Sequence, residues 1–289
     1  MNSTNQKVSR KRRISPSEIL FKVIMYGILV AIAVCFLIPF MFLFLGSFKG
    51  ESELFRVPFK WLPDRFSFDN YVKMFQTIPF FTYLRNTLII VGFNIAGSLI
   101  SCSLAAYGFA RLHWTGRDKV FMIVIVTMIL PYQVTLVPLF LLFNKLGWIG
   151  TFLPLIVPCF FGNPFFIFLL RQFFVGVPDE ITYAARVDGA SEFRIYLSIL
   201  MPMAKPALAT VAIFAFIRSW NDFIGPLVFL SGDELYTLSL AASMLKSPLN
   251  PNWALLLTLG SLMVLPVLIL FFILQKYFIQ GIAMSGVKG

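Results

Sequence analysis

Arg218 and Asp222 lie four residues apart with Trp220 and Asn221 between them, and they are the only charged residues inside any long apolar run of the chain. That spacing lets a cation and a carboxylate meet on one face of a helix. Within a bilayer each such charge costs about 2.5–3.5 kcal/mol on insertion scales, so the two must be paired, wetted or close to a helix end. Three kinds of chemistry fit: an ion pair that fixes one helix against its neighbours, contact with a polar substrate, or the coupling of an ion to transport. Other polar groups sit at breaks. Gln133 and Thr135 stand between Pro131 and Pro138, and Asn163 stands beside Pro164. Proline frees backbone carbonyls, which inside a membrane are tolerated where protein or a wet cavity satisfies them. Gln133, Thr135, Asn163, Arg218, Asn221 and Asp222 are therefore candidates for the wall of a polar pathway.

Other chemistries have little to work with. The single histidine, His113, has no carboxylate cluster around it in sequence, and no pair of acids lies inside an apolar run, so membrane-enzyme catalysis is not indicated. Cys35, Cys102 and Cys159 all lie in apolar runs and form no Cys-x-x-Cys, which points to neither a disulfide framework nor a metal site. No phosphate-cradling Gly-x-x-x-x-Gly-Lys-Ser/Thr occurs, so the chain is not expected to hydrolyse ATP itself, and no cofactor is expected on it. The net charge of +11 is spread over the arms and loops between apolar runs, with no basic patch on a soluble domain, which argues against nucleic acid.

The elements that must position the polar residues are membrane helices. A chain of 289 residues that is 58% hydrophobic, only 13% charged and holds 34 Phe has more apolar surface than a soluble fold buries. Six runs reach the roughly 20 residues a spanning helix needs: Val23–Leu45, Asn86–Ala110, Val120–Phe143, Thr151–Leu170, Pro206–Leu230 and Trp253–Leu274. The first run is too long and lacks the small-residue cleavage site of a signal peptide. The chain divides into a basic arm at 1–22, a membrane domain at 23–275 and a tail at 276–289. Six spans place both termini on one side. That side carries about twice as many Lys and Arg as the other, which makes it the cytoplasm.

Between spans one and two, Lys49–Arg85 interleaves Phe55, Phe59, Trp61, Phe66, Phe68 and Tyr71 with charges. It reads as a segment lying on the bilayer surface with aromatics inward, and Asp69 is placed to cap a short helix through Gln76. Stacking on a carbohydrate would use similar residues. In span two, Gly97, Ser101 and Ala105 recur every four residues and let a neighbouring helix come close.

The segment 178–202 reads as two short helices. Pro178 suits the first helical position, Asp179 and Glu180 oppose the dipole at that end and Arg186 at the other. Asp188-Gly189 turns the chain. Phe193, Tyr196, Leu197 and Leu200 give the second helix an apolar stripe, and the first has none. The small pair Ala184-Ala185 lets a partner's surface approach closely.

This segment resembles the coupling loop of ATP-binding-cassette importer permeases of the carbohydrate-uptake, maltose-transporter type. Ala184, Ala185, Asp188, Gly189, Ala190, Phe193 and Pro202 match the family's pattern. Tyr183 stands where the family carries a glutamate, with Glu180 one turn earlier on the same face. The likeness extends to Ala105–Arg111, to Leu130–Pro138, to Trp220-Asn-Asp-Phe223 and to the ending, where Gly286, Val287, Lys288 and Gly289 match the family's tail. The resemblance implies an all-α polytopic protein with the six-helix type I importer fold. It implies a loop that docks on a separate ATPase, and a tail that reaches between two ATPase subunits using ATP and Mg. A second, different permease and an extracytoplasmic sugar-binding protein complete the implied complex, within membrane lipid. A stand-alone secondary transporter or channel working through Arg218 and Asp222 is the alternative from another class.

Overall fold

A computed structural model describes residues 16–246 and 251–286. The described residues are 78% helical and contain no strand. Helix α1 (Pro16–Gly46) is followed by a short α2 (Asp69–Thr77), the long α3 (Phe80–Arg111), α4 (Arg117–Val126) and α5 (Tyr132–Lys145). Next come α6 (Pro164–Val175), α7 (Asp179–Val187), α8 (Glu192–Met203), α9 (Lys205–Trp220), α10 (Ile224–Phe229), α11 (Leu238–Leu245) and α12 (Trp253–Gly286).

Four segments are long and apolar enough to cross a membrane: α1, α3, α12 and the stretch Leu153–Val175 that ends in α6. The other two expected spans are broken. Residues Arg117–Ile129 meet α5 at an angle of 100°. The cause is local: Leu130 precedes Pro131 and takes an extended ψ of 115°, because the proline ring excludes the helical region for the residue before it. The fifth, α9, is joined to α8 at 79°. It stops at Trp220 instead of running to Leu230, so Arg218 lies in its last turn and Asp222 beyond its end. The two charges are not at a helix centre.

At the start of α6 the carboxamide oxygen of Asn163 accepts from the backbone N–H groups of Phe165 and Phe166, at 3.0 and 3.3 Å, with Pro164 in the first turn. Span four is thus a 3₁₀ turn (Val157–Phe161) followed by a capped α-helix. The small-residue face of α3 receives that turn rather than a regular helix: a Cβ on Gly97 would stand 2.9 Å from the Phe160 ring, and the Ser101 hydroxyl donates to the Cys159 carbonyl at 2.9 Å.

Helix α3 is central, packing along α6 and α9, while α12 packs on α9 and α1. Two cores result. One lies where α3, α6 and α9 meet the 178–202 segment. The other, around Trp220, Leu238 and Leu259, joins the far ends of α3, α9, α11 and α12. There Asn86, fully buried, donates to the carbonyls of Glu234 and Tyr236 at 2.7 and 3.0 Å, and the indole N–H of Trp220 donates to the Met263 carbonyl at 3.2 Å. Phe48, just before the 49–85 segment, makes ring contacts with Phe66, Phe68 and Tyr71 within it, while the rings of Phe55, Phe59, Trp61, Phe66 and Phe68 stay exposed. Asp69 does not cap α2: it is the first helical residue, and its N–H donates to the Ser67 hydroxyl.

Candidate functional site

The 178–202 segment forms the two expected helices with the expected joint. Pro178 is extended and precedes the first helical residue, Asp179. Gly189 adopts φ +78°, its N–H bonds the Arg186 carbonyl at 3.0 Å and the N–H of Ala190 bonds the Ala185 carbonyl at 2.9 Å, a Schellman stop that satisfies the last carbonyls of α7. Ser191 then caps α8 by accepting from the Arg194 N–H at 3.3 Å.

The faces differ from the sequence reading. Helix α7 does bury one side: Thr182 and Ala185 are buried, and Ala185, 7% exposed, belongs to the same core as α3 and α6. The exposed face is Glu180, Tyr183, Ala184 and Val187, at the i, i+3, i+4, i+7 spacing of one helical side. The adjacent alanines point to opposite environments. In α8 the buried residues are Ile195, Tyr196 and Leu200, whereas Phe193 and Leu197 are exposed. A π-helical turn over Tyr196–Leu200 adds one residue to the turn and rotates the face beyond it, which a 3.6-residue period does not anticipate. Pro202 lies in α8's last turn, ahead of the bend into α9, and Asp188 ends α7. The segment is therefore half core and half surface.

Polar residues bind it to α3. Arg111, buried in the last turn of α3, donates to the carboxylate of Asp179 and to the carbonyls of Phe174 and Val177. One guanidinium thus closes the end of α6 and holds the start of α7. Tyr107 donates its hydroxyl to Glu192, whose other oxygen accepts from Arg186 Nε at 2.7 Å. Arg186 and, less strongly, Tyr107 hold the Glu192 carboxyl below the usual carboxylate range, and Glu192 in turn raises Arg186. Sequence reading missed Arg111, Tyr107 and Glu192 as partners. The signal was available in part: a basic residue closing a long apolar helix, and two acids opening the helices that follow.

A cavity of about 420 Å³ opens between α3, the 3₁₀ turn, α5 and the end of α9. Of the six pathway candidates it is lined by Asn163, Arg218 and Asp222. Gln133 and Asn221 are exposed elsewhere, Asn221 closing α9 by donating to the Ile217 carbonyl at 2.8 Å, and Thr135 bonds the Tyr132 carbonyl within α5. Asn94, Ser98, Tyr132 and Ser219 line it as well, and the sequence reading had not singled them out. Among the described residues no ion pair joins Arg218 to Asp222. Instead, Asp222 Oδ1 accepts from the Gly225 N–H at 3.1 Å and its carbonyl from the Ser239 hydroxyl at 2.5 Å, so the carboxylate caps α10. The described residues hold no cluster of metal-ligating side chains. Gly286 ends α12, which carries helix well past Leu274; Val287, Lys288 and Gly289 lie outside the described residues, as does most of the amino-terminal arm.

The family profile for the binding-protein-dependent transport system inner membrane component matches residues 97–284. The chain is 35% identical to the arabinooligosaccharides transport system permease protein AraQ of Bacillus subtilis, covering 96% of this chain and 99% of that one. It is 34% identical to the alpha-glucoside transport system permease protein AglG of Rhizobium meliloti, covering 78% and 62%. Among solved structures it is similar to a chain of a bacterial ABC transporter that imports the acidic polysaccharide alginate, with a TM-score of 0.81 and 26% identity over 91% of this chain and 98% of that one.

Proposed function

The chain belongs to the family of inner-membrane components of binding-protein-dependent transport systems, and from that premise we propose that it carries carbohydrate, an oligosaccharide, across the membrane. It is a multi-pass permease subunit of the type I ABC importer fold, and ATP is hydrolysed in such importers by separate subunits. A substrate-binding protein and an ATPase are its partners. We further propose a second, different permease as the other half of the pathway and two ATPase copies using ATP and Mg, with both termini and the 178–202 loop in the cytoplasm. The arm at 1–22, the membrane domain at 23–275 and the tail at 276–289 keep the roles read from sequence, the tail ending Gly286–Gly289 reaching the ATPase.

The observation that carries the coupling role is the division of α7 into a buried side, Thr182 and Ala185, and an exposed side, Glu180, Tyr183, Ala184 and Val187. A helix held by its inner face and open on its outer one can receive force from a partner and pass it inward. Asn163, Arg218 and Asp222, with Asn94 and Ser98, supply the polar surface over which a sugar's hydroxyls pass. The test is uptake of labelled oligosaccharides into vesicles holding the assembled complex, its binding protein and internal ATP. Uptake by this chain without any ATPase subunit would defeat the proposal.

A further inference from the structure

Ser103, Tyr107 and Arg111 recur every four residues along α3, and all three are buried. Each makes a polar contact with a different point of the 178–202 segment. The Ser103 hydroxyl lies 2.8 Å from the Tyr196 hydroxyl, in the π-helical turn of α8. Tyr107 reaches Glu192, the first residue of α8, and Arg111 reaches Asp179, the first residue of α7. Across the Gly189 joint, Arg186 in the last turn of α7 is ion-paired to the same Glu192.

A two-helix arm connected only through a glycine would bend at that joint when pushed. Here the Arg186–Glu192 pair spans the joint, and Tyr107 ties the pair to α3. Helix α3 is itself unbroken from Phe80 to Arg111 and holds no proline, and on the turns that precede Ser103 it presents Asn94 and Ser98 to the cavity. We infer that Ser103, Tyr107 and Arg111 form a rigid link that makes α3 and both loop helices move as one body, with Tyr107 a positioning residue for energy coupling. The inference rests on the docking role proposed for α7.

A purely structural contact, when lost, lowers the amount of assembled complex and leaves each complex working normally. A lost link leaves complexes that hydrolyse ATP and move little sugar. The experiment is the ratio of sugar transported to ATP hydrolysed in vesicles, measured per assembled complex, for Tyr107→Phe, Glu192→Gln, the double variant, Ser103→Ala and Ala184→Arg. The expected result is a severalfold fall in the ratio for Tyr107→Phe at normal assembly, with the double variant no worse than the poorer single one because the two residues act through one bond. If Tyr107→Phe folds poorly, Ser103→Ala, which removes a single oxygen, gives the same reading. A normal ratio in both, alongside an uncoupled Ala184→Arg, overturns the link alone. A normal ratio in Ala184→Arg, with full assembly, overturns the docking role and the link with it.

Discussion

Arg111 and Asp179 form an ion pair of unequal partners: the arginine side chain is 4% exposed and the aspartate side chain 68%. The pair's worth is therefore carried by the other acceptors of the guanidinium, the buried carbonyls of Phe174 and Val177. An exposed ion pair contributes about 0–1 kcal/mol, whereas each buried polar group stripped of its partner costs about 1–3 kcal/mol. Asp179→Asn should leave the thermal midpoint of the purified subunit nearly unchanged, and Arg111→Ala should lower it strongly. Equal effects would mean that the charge pair, not the carbonyl clamp, holds the junction.

Neighbouring alanines should behave oppositely. Ala185 packs in the core shared with α3 and α6, so Ala185→Arg forces a charge into apolar surroundings and should cost folded yield. Ala184 is exposed, so Ala184→Arg should give normal yield of the subunit with weakened ATPase co-purification or uncoupled hydrolysis. Fluorescence-detected size exclusion separates the two; normal folding of Ala185→Arg would contradict the orientation of α7.

Gly189 has open space where a Cβ would go but a φ of +78°, so the cost of replacing it is conformational and not steric. Residues other than glycine pay about 1–2 kcal/mol in the left-handed region, asparagine least among them. Gly189→Asn should therefore couple transport better than Gly189→Val. Matched losses in uptake assays would show that size, not backbone geometry, matters at the joint.

Acid should loosen the loop. The carboxyl of Glu192 is held below its ordinary value of 4.5, chiefly by Arg186. A depressed folded-state pKa stabilises above the unfolded pKa, and that stabilisation is lost as pH falls through the folded value. Limited proteolysis near Gly189 should thus be flat from neutral pH down to about 4.5 and rise below it, and the rise should vanish in Glu192→Gln. A protease-sensitivity transition near pH 6.5 would implicate a histidine instead.

Arg218 and Asp222 should differ in what their loss does. With the carboxylate capping α10 and the cation facing the cavity, Arg218→Met should preserve folded yield and alter uptake, while Asp222→Ala should lower yield through the lost bond to Gly225. Recovery of yield in the double variant would restore the direct ion pair.

Six apolar runs, the Asp188-Gly189 joint and the two helices around it were legible because hydrophobic length and glycine's backbone freedom are properties of local sequence. The bends were half legible. Pro131 announced a break, but a proline marks only where the helix stops, and the 100° angle is visible only in the fold. The direction of Ala185 was hidden, because two adjacent small residues carry no periodicity to say which faces inward. The stripe Ser103, Tyr107, Arg111 was overshadowed by the small-residue stripe Gly97, Ser101, Ala105 on the same helix, and a polar stripe has meaning only once its distant partners are known. Asn94 and Ser98 carry no signal of their own in an apolar span, and only the fold brings them to the cavity that Arg218 also lines.

The 100° bend also bears on how the chain enters its membrane. Helix α5 has 14 residues, which at 1.5 Å per residue rise about 21 Å, short of the roughly 30 Å of hydrocarbon. Neither arm of the broken third span crosses on its own, whereas α1 has an uninterrupted apolar run whose most apolar 18 residues are not buried against the protein. The first helix is long and apolar enough to partition into lipid as one rod, whereas the third can cross only as a bent pair.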